Sequence, residues 1–322
     1  MQSENARRTV CVACVLALLS CVHAARTLAQ DPPPRPVFSS RSELVVLHVT
    51  VLDGRSGFVS GLPREAFTVY EDGRRQNIEF FSNEDSPVTV GLVIDSSGSM
   101  QRKREAVIAA GLAFAQSSHP QDEMFTVHFN ERVWSGLPDG QPFTSDLRQL
   151  RAALERSGAR GRTAFFDAVT FALRHLETGR SQKKVLVVIS DGGDNASTTK
   201  FKELLDRAHR AEAVIYAIGL SDWYDREADP DVLRDLAKAT GGEAFFVRNT
   251  ERANDRATEI LSRIARDIRS GYTIGYSPER EVDADANGFR AIKVEVSTPD
   301  RRKLTVRARA GYVTGSRGDG AQ

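Results

Sequence analysis

Val88-Thr89-Val90-Gly91-Leu92-Val93-Ile94 runs directly into Asp95-Ser96-Ser97-Gly98-Ser99, and this junction decides the fold. The uncharged, largely β-branched run reads as a strand buried on both faces, the kind found in a parallel sheet covered by helices. A row of oxygen side chains follows where such a strand leaves the sheet. Along an extended turn alternate side chains face one way, so Asp95, Ser97 and Ser99 can converge. Gly98 lets the backbone fold back on itself. One carboxylate with two hydroxyls suits a hard divalent cation, with Mg²⁺ the first expectation and Mn²⁺ or Ca²⁺ the others, and does not suit a soft metal.

Outward from this junction, strand patterns alternate with amphipathic helical ones as far as about Ser270. Strands are expected at Thr89 to Ile94, Phe125 to Phe129, Lys184 to Ser190, Ala213 to Gly219 and Glu243 to Val247, with a short edge strand near Val133. Helices are expected near Lys103 to Gln116, Asp146 to Arg156, Ala164 to Leu176, Thr199 to Ala211, Asp231 to Ala239 and Arg252 to Arg269. This alternation predicts an α/β fold with a doubly wound, mostly parallel sheet. Both flanks change character. Leu44 to Leu52, Phe67 to Tyr70 and Gln76 to Phe81 read as strands, with Asp53-Gly54 and Asp72-Gly73 as hairpin turns, and so do Tyr272 to Tyr276, Arg290 to Ser297 and Lys303 to Tyr312. About forty residues on each side are too few for two separate cores, so the flanks are expected to pair into one small antiparallel β-sandwich.

In an open parallel sheet ligands gather at the carboxyl ends of the strands. Val185-Leu186-Val187-Val188-Ile189-Ser190 delivers Asp191 to the same edge as Asp95, followed by Gly192-Gly193-Asp194-Asn195. Gly158-Ala159-Arg160-Gly161-Arg162-Thr163 is a glycine-bearing loop that offers one hydroxyl just before a helix. Five oxygen side chains from three distant segments are thus expected on one rim.

These residues closely resemble the von Willebrand factor type A domain and its metal-ion-dependent adhesion site, from about Pro87 to Arg269. The resemblance implies a metal held by Asp95, Ser97, Ser99, Thr163 and Asp191, with a coordination position left for an acidic side chain of a protein partner. It also implies that site occupancy can be coupled to a shift of the last helix, Arg252 to Arg269. Val59-Ser60-Gly61-Leu62, Phe67-Thr68-Val69-Tyr70-Glu71-Asp72-Gly73 and Val306-Arg307-Ala308-Arg309-Ala310-Gly311-Tyr312 look like the bacterial exported subgroup called acidobacterial von Willebrand-related proteins. Asp194 is a candidate auxiliary ligand or a turn former. Trp223 and Tyr224, in a loop after a strand that ends on the same rim, are candidate partner contacts, since paired aromatics often anchor interfaces.

The whole chain of 322 residues bounds these readings. Lys+Arg 44 against Asp+Glu 43, with no face-wide basic block in the sequence, argues against nucleic-acid binding driven by phosphate neutralisation. The basic runs Arg102-Lys103-Arg104 and Arg301-Arg302-Lys303 read as solvated surface. Arg7-Arg8 ahead of the apolar stretch Val10 to Val22, with Val22-His23-Ala24 as a cleavage site, reads as an export signal. The expected address is therefore the periplasm, the cell envelope or the exterior. Leu18-Leu19-Ser20-Cys21 also resembles a bacterial lipobox, which would make Cys21 a lipid anchor. Cys11, Cys14 and Cys21 all lie in this segment, so the folded part is expected to rely on core packing without disulfides. The expected layout is a signal over 1–24, a Pro-rich tether over 25–42, sandwich strands over 43–85, the α/β domain over 86–270, the remaining sandwich strands over 271–314, and a disordered tail over 315–322.

Two other classes fit parts of the pattern. Asp95 after a first strand and a later Asp-Gly are shared with haloacid-dehalogenase-type phosphatases, but Ser97 stands where that family places its acid/base aspartate. No enzyme is therefore expected. A structural envelope protein whose metal only braces the fold is the remaining alternative. The six histidines show no metal-ligand spacing and read as structural or exposed.

Overall fold

The computed structural model describes residues 44–54, 57–156, 158, 160–221, 228–248, 253–278, 288–299 and 303–313. β1 (Val45–Leu52), β2 (Phe67–Glu71), β3 (Arg74–Gln76) and β4 (Ile78–Ser82) precede the α/β part. That part contains β5 (Val88–Asp95), β6 (Glu123–Phe129), β7 (Val133–Ser135), β8 (Lys183–Ser190), β9 (Ala213–Ser221) and β10 (Ala244–Arg248). Its helices are α1 (Arg104–Gln116), α2 (Leu147–Glu155), α3 (Phe165–Glu177), α4 (Phe201–Arg210), α5 (Pro230–Thr240) and α6 (Ala253–Ser270). β11 (Tyr272–Tyr276), β12 (Phe289–Val296), β13 (Thr305–Arg307) and β14 (Gly311–Val313) follow.

The central sheet has the order β10-β9-β8-β5-β6-β7, parallel except for the edge strand β7. All eight residues of β5 are buried because both faces of this strand are covered. Val90, Leu92 and Ile94 pack with Val107 of α1 and Leu261 and Ile264 of α6, whereas Val93 packs with Phe165 and Leu173 of α3 and Leu236 of α5. Each such side chain removed from water contributes roughly 1.5–3 kcal/mol before the entropy of ordering is counted. That apolar double layer fixes β5 and β8 side by side, with their carboxyl ends level.

The flanks pair as expected in outline. They form two four-stranded antiparallel sheets, β13-β1-β11-β4 and β14-β12-β2-β3, whose inner residues share one core that includes Leu47, Val49, Phe67, Val69, Tyr272, Ile274 and Tyr276. Asp72 and Gly73 turn the β2–β3 hairpin with φ of 47° and 77°. Two expected single strands are each divided between the sheets. Gln76 to Phe81 breaks at Asn77, so β3 pairs with β2 while β4 pairs with β11. Lys303 to Tyr312 breaks into β13, paired with β1, and β14, paired with β12. Alternation of period two marks extended chain but carries no information on which sheet receives it. Glu71, to which the strand pattern assigns no role, is buried in the sandwich core, where it accepts from Tyr276 Oη (2.7 Å), Tyr312 Oη (3.0 Å) and an Arg290 guanidinium nitrogen (2.6 Å).

A buried polar seam joins the sandwich to the α/β part. Arg307 of β13 bonds both Asp267 of α6 and Glu243, and Thr50 of β1 donates to Asp267 Oδ1 at 2.7 Å. Lys183 donates to the Ile268 carbonyl. Among the described residues no helix is long and apolar enough to cross a membrane.

Candidate metal centre

β5 ends at Asp95, and its carboxylate is bonded on both sides. Ser97 N donates to Oδ1 at 2.8 Å, and Ser190 Oγ, at the end of β8, donates to Oδ2 at 2.6 Å. The chain then enters a 3₁₀ turn, Gly98–Lys103, that continues into α1. The helical path thus opens at Gly98 rather than after Met100, with the Gly98 and Met100 amides taken up by the Gly161 and Ser97 carbonyls. Ser97 Oγ and Ser99 Oγ lie 3.1 Å apart, and Ser99 Oγ donates to Asp191 Oδ2 at 2.7 Å. Asp191 is oriented by Gly193 N, which donates to Oδ1 at 3.1 Å. Gly192 has φ +88°, and a Cβ there would stand 2.3 Å from the Asp229 carbonyl, so only glycine turns the chain here without displacing that neighbour.

The third loop is sewn to the other two by its backbone. Arg160 N donates to Ser96 O (2.9 Å), and Gly98 N donates to Gly161 O (3.2 Å). Thr163 N donates to Asn195 Oδ1 (2.9 Å), and Thr163 O accepts from Asn195 N and Ala196 N. Gly161 lies at φ +85°, and a Cβ there would meet Glu131 Oε2 at 1.8 Å. The structure thus brings the three motif segments together. Asp95, Ser97, Thr163 and Asp191 are buried, and Ser99 is exposed at the top. Trp223 and Tyr224 lie outside the described residues.

Burial and then the adjacent Asp191 carboxylate push the Asp95 carboxyl up to about 6, against the hydrogen bonds from Ser190 and Ser97 that hold it down. Two carboxylates pressed together in a dry site are the arrangement that a divalent cation relieves. Thr163 is a buried residue, and its backbone N–H and carbonyl are both taken up by the Asn195–Ala196 turn. A donor set of two carboxylates and three hydroxyls fits a hard cation. Among the described residues there is no cluster of three or more His, Cys, Asp or Glu, so softer or carboxylate-rich metal sites have no candidate there.

Asp194 has a different task. Its Oδ1 accepts from Phe166 N (3.2 Å) and Ser197 Oγ (2.6 Å), so it braces the loop against the start of α3. The basic run is also corrected: Lys103 is buried and donates to the Leu220 carbonyl at 2.8 Å, and Arg104 reaches the Glu155 carbonyl, while Arg102 is exposed. Ser190, Asn130 and Asn195 were missed as site residues. Each stands at, or a few residues beyond, the carboxyl end of β8 or β6, so the strand-end rule applied to every strand would have found them.

A doubly wound α/β domain with a hydroxyl-rich polar row on the carboxyl rim of its sheet is the class this geometry defines. The sequence pattern of the von Willebrand factor type A domain matches residues 89–260, and the chain belongs to that family. Integrin alpha-M of Mus musculus is 25% identical over 215 residues, which are 62% of this chain but 18% of that protein. A von Willebrand factor type A structure from Catenulispora acidiphila is 14% identical, covering 87% of this chain and 76% of its own, with a TM-score of 0.49. The vWF domain of the type V pili tip protein Mfa5 from Porphyromonas gingivalis is 14% identical, covering 57% of this chain and 95% of its own, with a TM-score of 0.44.

Proposed function

We propose that this chain is an exported bacterial binding module of the acidobacterial von Willebrand-related subgroup, which captures a protein partner through an Asp or Glu carboxylate at a Mg²⁺ site. Asp95, Ser97, Ser99, Thr163 and Asp191 would hold the ion. When bound, the cation supplies an electrophilic position that accepts a carboxylate oxygen. The observation that carries the reading is the gradient of exposure in one bonded set: Asp95 and Asp191 sit buried at the base, and Ser99, bonded to Asp191, opens to solvent. Ser190 and the Ser97 amide keep the Asp95 carboxylate facing inward, and Gly192 shapes the turn that carries Asp191. Family membership and the likeness to integrin alpha-M support the protein-binding part of this reading. The Arg7-Arg8 and Val10 to Val22 leader supports export to the periplasm, envelope or exterior, with Cys21 as a candidate lipid anchor.

The test is recovery of a partner from envelope extracts with and without chelator, using wild type and Asp95→Ala side by side, with melting temperature measured on both. Recovery that requires Mg²⁺ and Asp95 supports the reading. Undiminished recovery by Asp95→Ala, with only its metal-dependent stabilisation lost, assigns the ion to bracing the fold and refutes it. Phosphatase turnover abolished by Asp95→Ala would place the site among enzymes instead.

A further inference from the structure

Beside the polar row, the segments that hold it also carry three guanidiniums. Arg160 and Arg162 flank Gly161, whose carbonyl receives the Gly98 amide between Ser97 and Ser99, and Arg132 follows the β6 terminus two residues after Asn130. Asn130 binds this region together: its Nδ2 donates to Arg160 O (3.1 Å), its Oδ1 accepts from Arg132 N (2.9 Å), and its carbonyl accepts from Ala164 N. The backbone beneath the three arginines is therefore fixed, yet all three side chains are exposed, and none forms an ion pair among the described residues. The one carboxylate among them is Glu131, which accepts from Arg162 N at 3.0 Å and feels Arg132 and Arg160 electrostatically. Three positive side chains around one negative, on a rigid loop touching the candidate metal row, leave a local excess of positive charge in a protein that is otherwise near neutral.

We infer that Arg132, Arg160 and Arg162 form a second recognition element, which selects a protein segment carrying further carboxylates beside the one taken by the Ser97–Ser99–Asp191 row. The inference rests on the proposed function, since it names the partner class of that same site. Planar guanidiniums pair with carboxylates through paired N–H donors, and an extended segment advances about 3.3 Å per residue, so acidic residues a few positions from the first lie within reach. Exposed pairs of this kind act mainly by steering encounter and are screened by salt. Arg160→Gln and Arg162→Gln remove the charge while leaving every backbone bond of the loop available.

The experiment uses the full chain with two labelled peptides in a Gly/Ser background, one with a single Asp and one with Asp followed by three Glu, read by fluorescence anisotropy in Mg²⁺ at low salt. The acidic-cluster peptide should bind about tenfold tighter than the single-Asp peptide, an advantage that falls to about twofold in Arg160→Gln/Arg162→Gln and in roughly 0.5 M NaCl. The single-Asp peptide should be unaffected by the double substitution. Equal affinity for the two peptides, or an advantage retained by the double variant, overturns the inference and leaves the proposed function standing. Cluster-peptide binding that survives chelator and Asp95→Ala but still needs Arg160 and Arg162 supports the arginine element and refutes the metal reading. No binding of either peptide up to about 2 mM, weaker than the millimolar affinity equivalent to about 4 kcal/mol, overturns both. A sulfated polysaccharide that binds tighter than the cluster peptide through the same arginines overturns the choice of a protein partner.

Discussion

Replacing Asp95 with Asn should stabilise the metal-free protein at neutral pH and destabilise it relative to wild type once Mg²⁺ is added. In the folded, metal-free state the Asp95 carboxyl is pushed from an ordinary 3.8 up to about 6, so the fold binds its proton more tightly than the unfolded chain does. Stability linked to this group is complete below about pH 4 and is lost as pH rises through 6. The interval is worth about 3 kcal/mol at about 1.4 kcal/mol per pH unit. Asn removes that cost but not without loss. Ser190 Oγ donates to Asp95 Oδ2 and already accepts from Gly192 N at 3.0 Å. With an amide NH₂ in place of Oδ2 the serine proton loses its acceptor, which costs about 1 kcal/mol. The net gain is about 2 kcal/mol, or roughly 4–8 °C in melting temperature for a domain of this size. Thermal melts of both proteins from pH 4 to 8 in chelator, then at pH 7.5 across a Mg²⁺ titration, read this directly. The variant's advantage should disappear between about pH 5 and 4 and reverse towards about 1 kcal/mol at lower pH, where only the lost Ser190 bond remains. At pH 7.5 wild type should overtake the variant as Mg²⁺ saturates, since ligand at about 100 times Kd adds about 2.7 kcal/mol. A variant less stable than wild type at pH 7.5 in chelator, or a difference that does not change with pH, would refute the account of two crowded buried carboxylates.

Arg307→Ala should cost about 3–5 kcal/mol in urea unfolding, because it leaves Asp267 buried without its cation at the seam between sandwich and α/β part. Gly192→Ala forces a Cβ against the Asp229 carbonyl at a left-handed φ and should cost about 1–3 kcal/mol, with a weakened Mg²⁺-dependent rise in melting temperature because the turn carrying Asp191 moves. Burial, and then the charges of Lys183 and Arg309, depress the His48 imidazole from 6.5 to about 3, so its contribution is full above pH 6.5 and is lost as pH falls. His48, only half-buried, should on replacement by Gln flatten the acid limb between pH 6 and 4 by at most about one proton, or about 1.4 kcal/mol per pH unit, in pH-dependent urea titrations.

What the sequence made legible follows from which interactions are local. The run from Val88 to Ile94 announces a strand buried on both faces because helices on two sides leave no position for a charge, and the structure buries every residue of it. The clustering of Asp95, Ser97, Ser99, Thr163 and Asp191 segments follows from the same regularity, since parallel strands end on one rim. Less legible were residues whose role depends on a partner far along the chain. Lys103 looked like one third of a basic surface run, yet a carbonyl 117 positions away, at Leu220, takes its ammonium. Glu71 lies just past the expected strand Phe67 to Tyr70, with nothing local to mark it as buried, and two tyrosines and an arginine from β11, β12 and β14 make its burial tolerable. Asn77 divides one alternating stretch between two sheets, a choice made by the strands waiting on either side.

The same distinction explains how the site is built. A pair of buried carboxylates is a cost that the site's own hydrogen bonds only partly offset, so something outside it must hold the loops in place. The structure supplies this through apolar packing under β5 and β8 and through backbone bonds among the three loops: Ser96 with Phe129 and Arg160, Gly98 with Gly161, Thr163 with Asn195 and Ala196. None of these bonds uses a motif hydroxyl. The Ser97, Ser99 and Thr163 hydroxyls are therefore free to change partners without releasing the scaffold, which is what a site must allow if an ion and an incoming carboxylate are to enter and leave. Substitutions of those hydroxyls should thus change ion affinity at little cost in metal-free stability, whereas substitutions at Gly192 or Gly161 should change both.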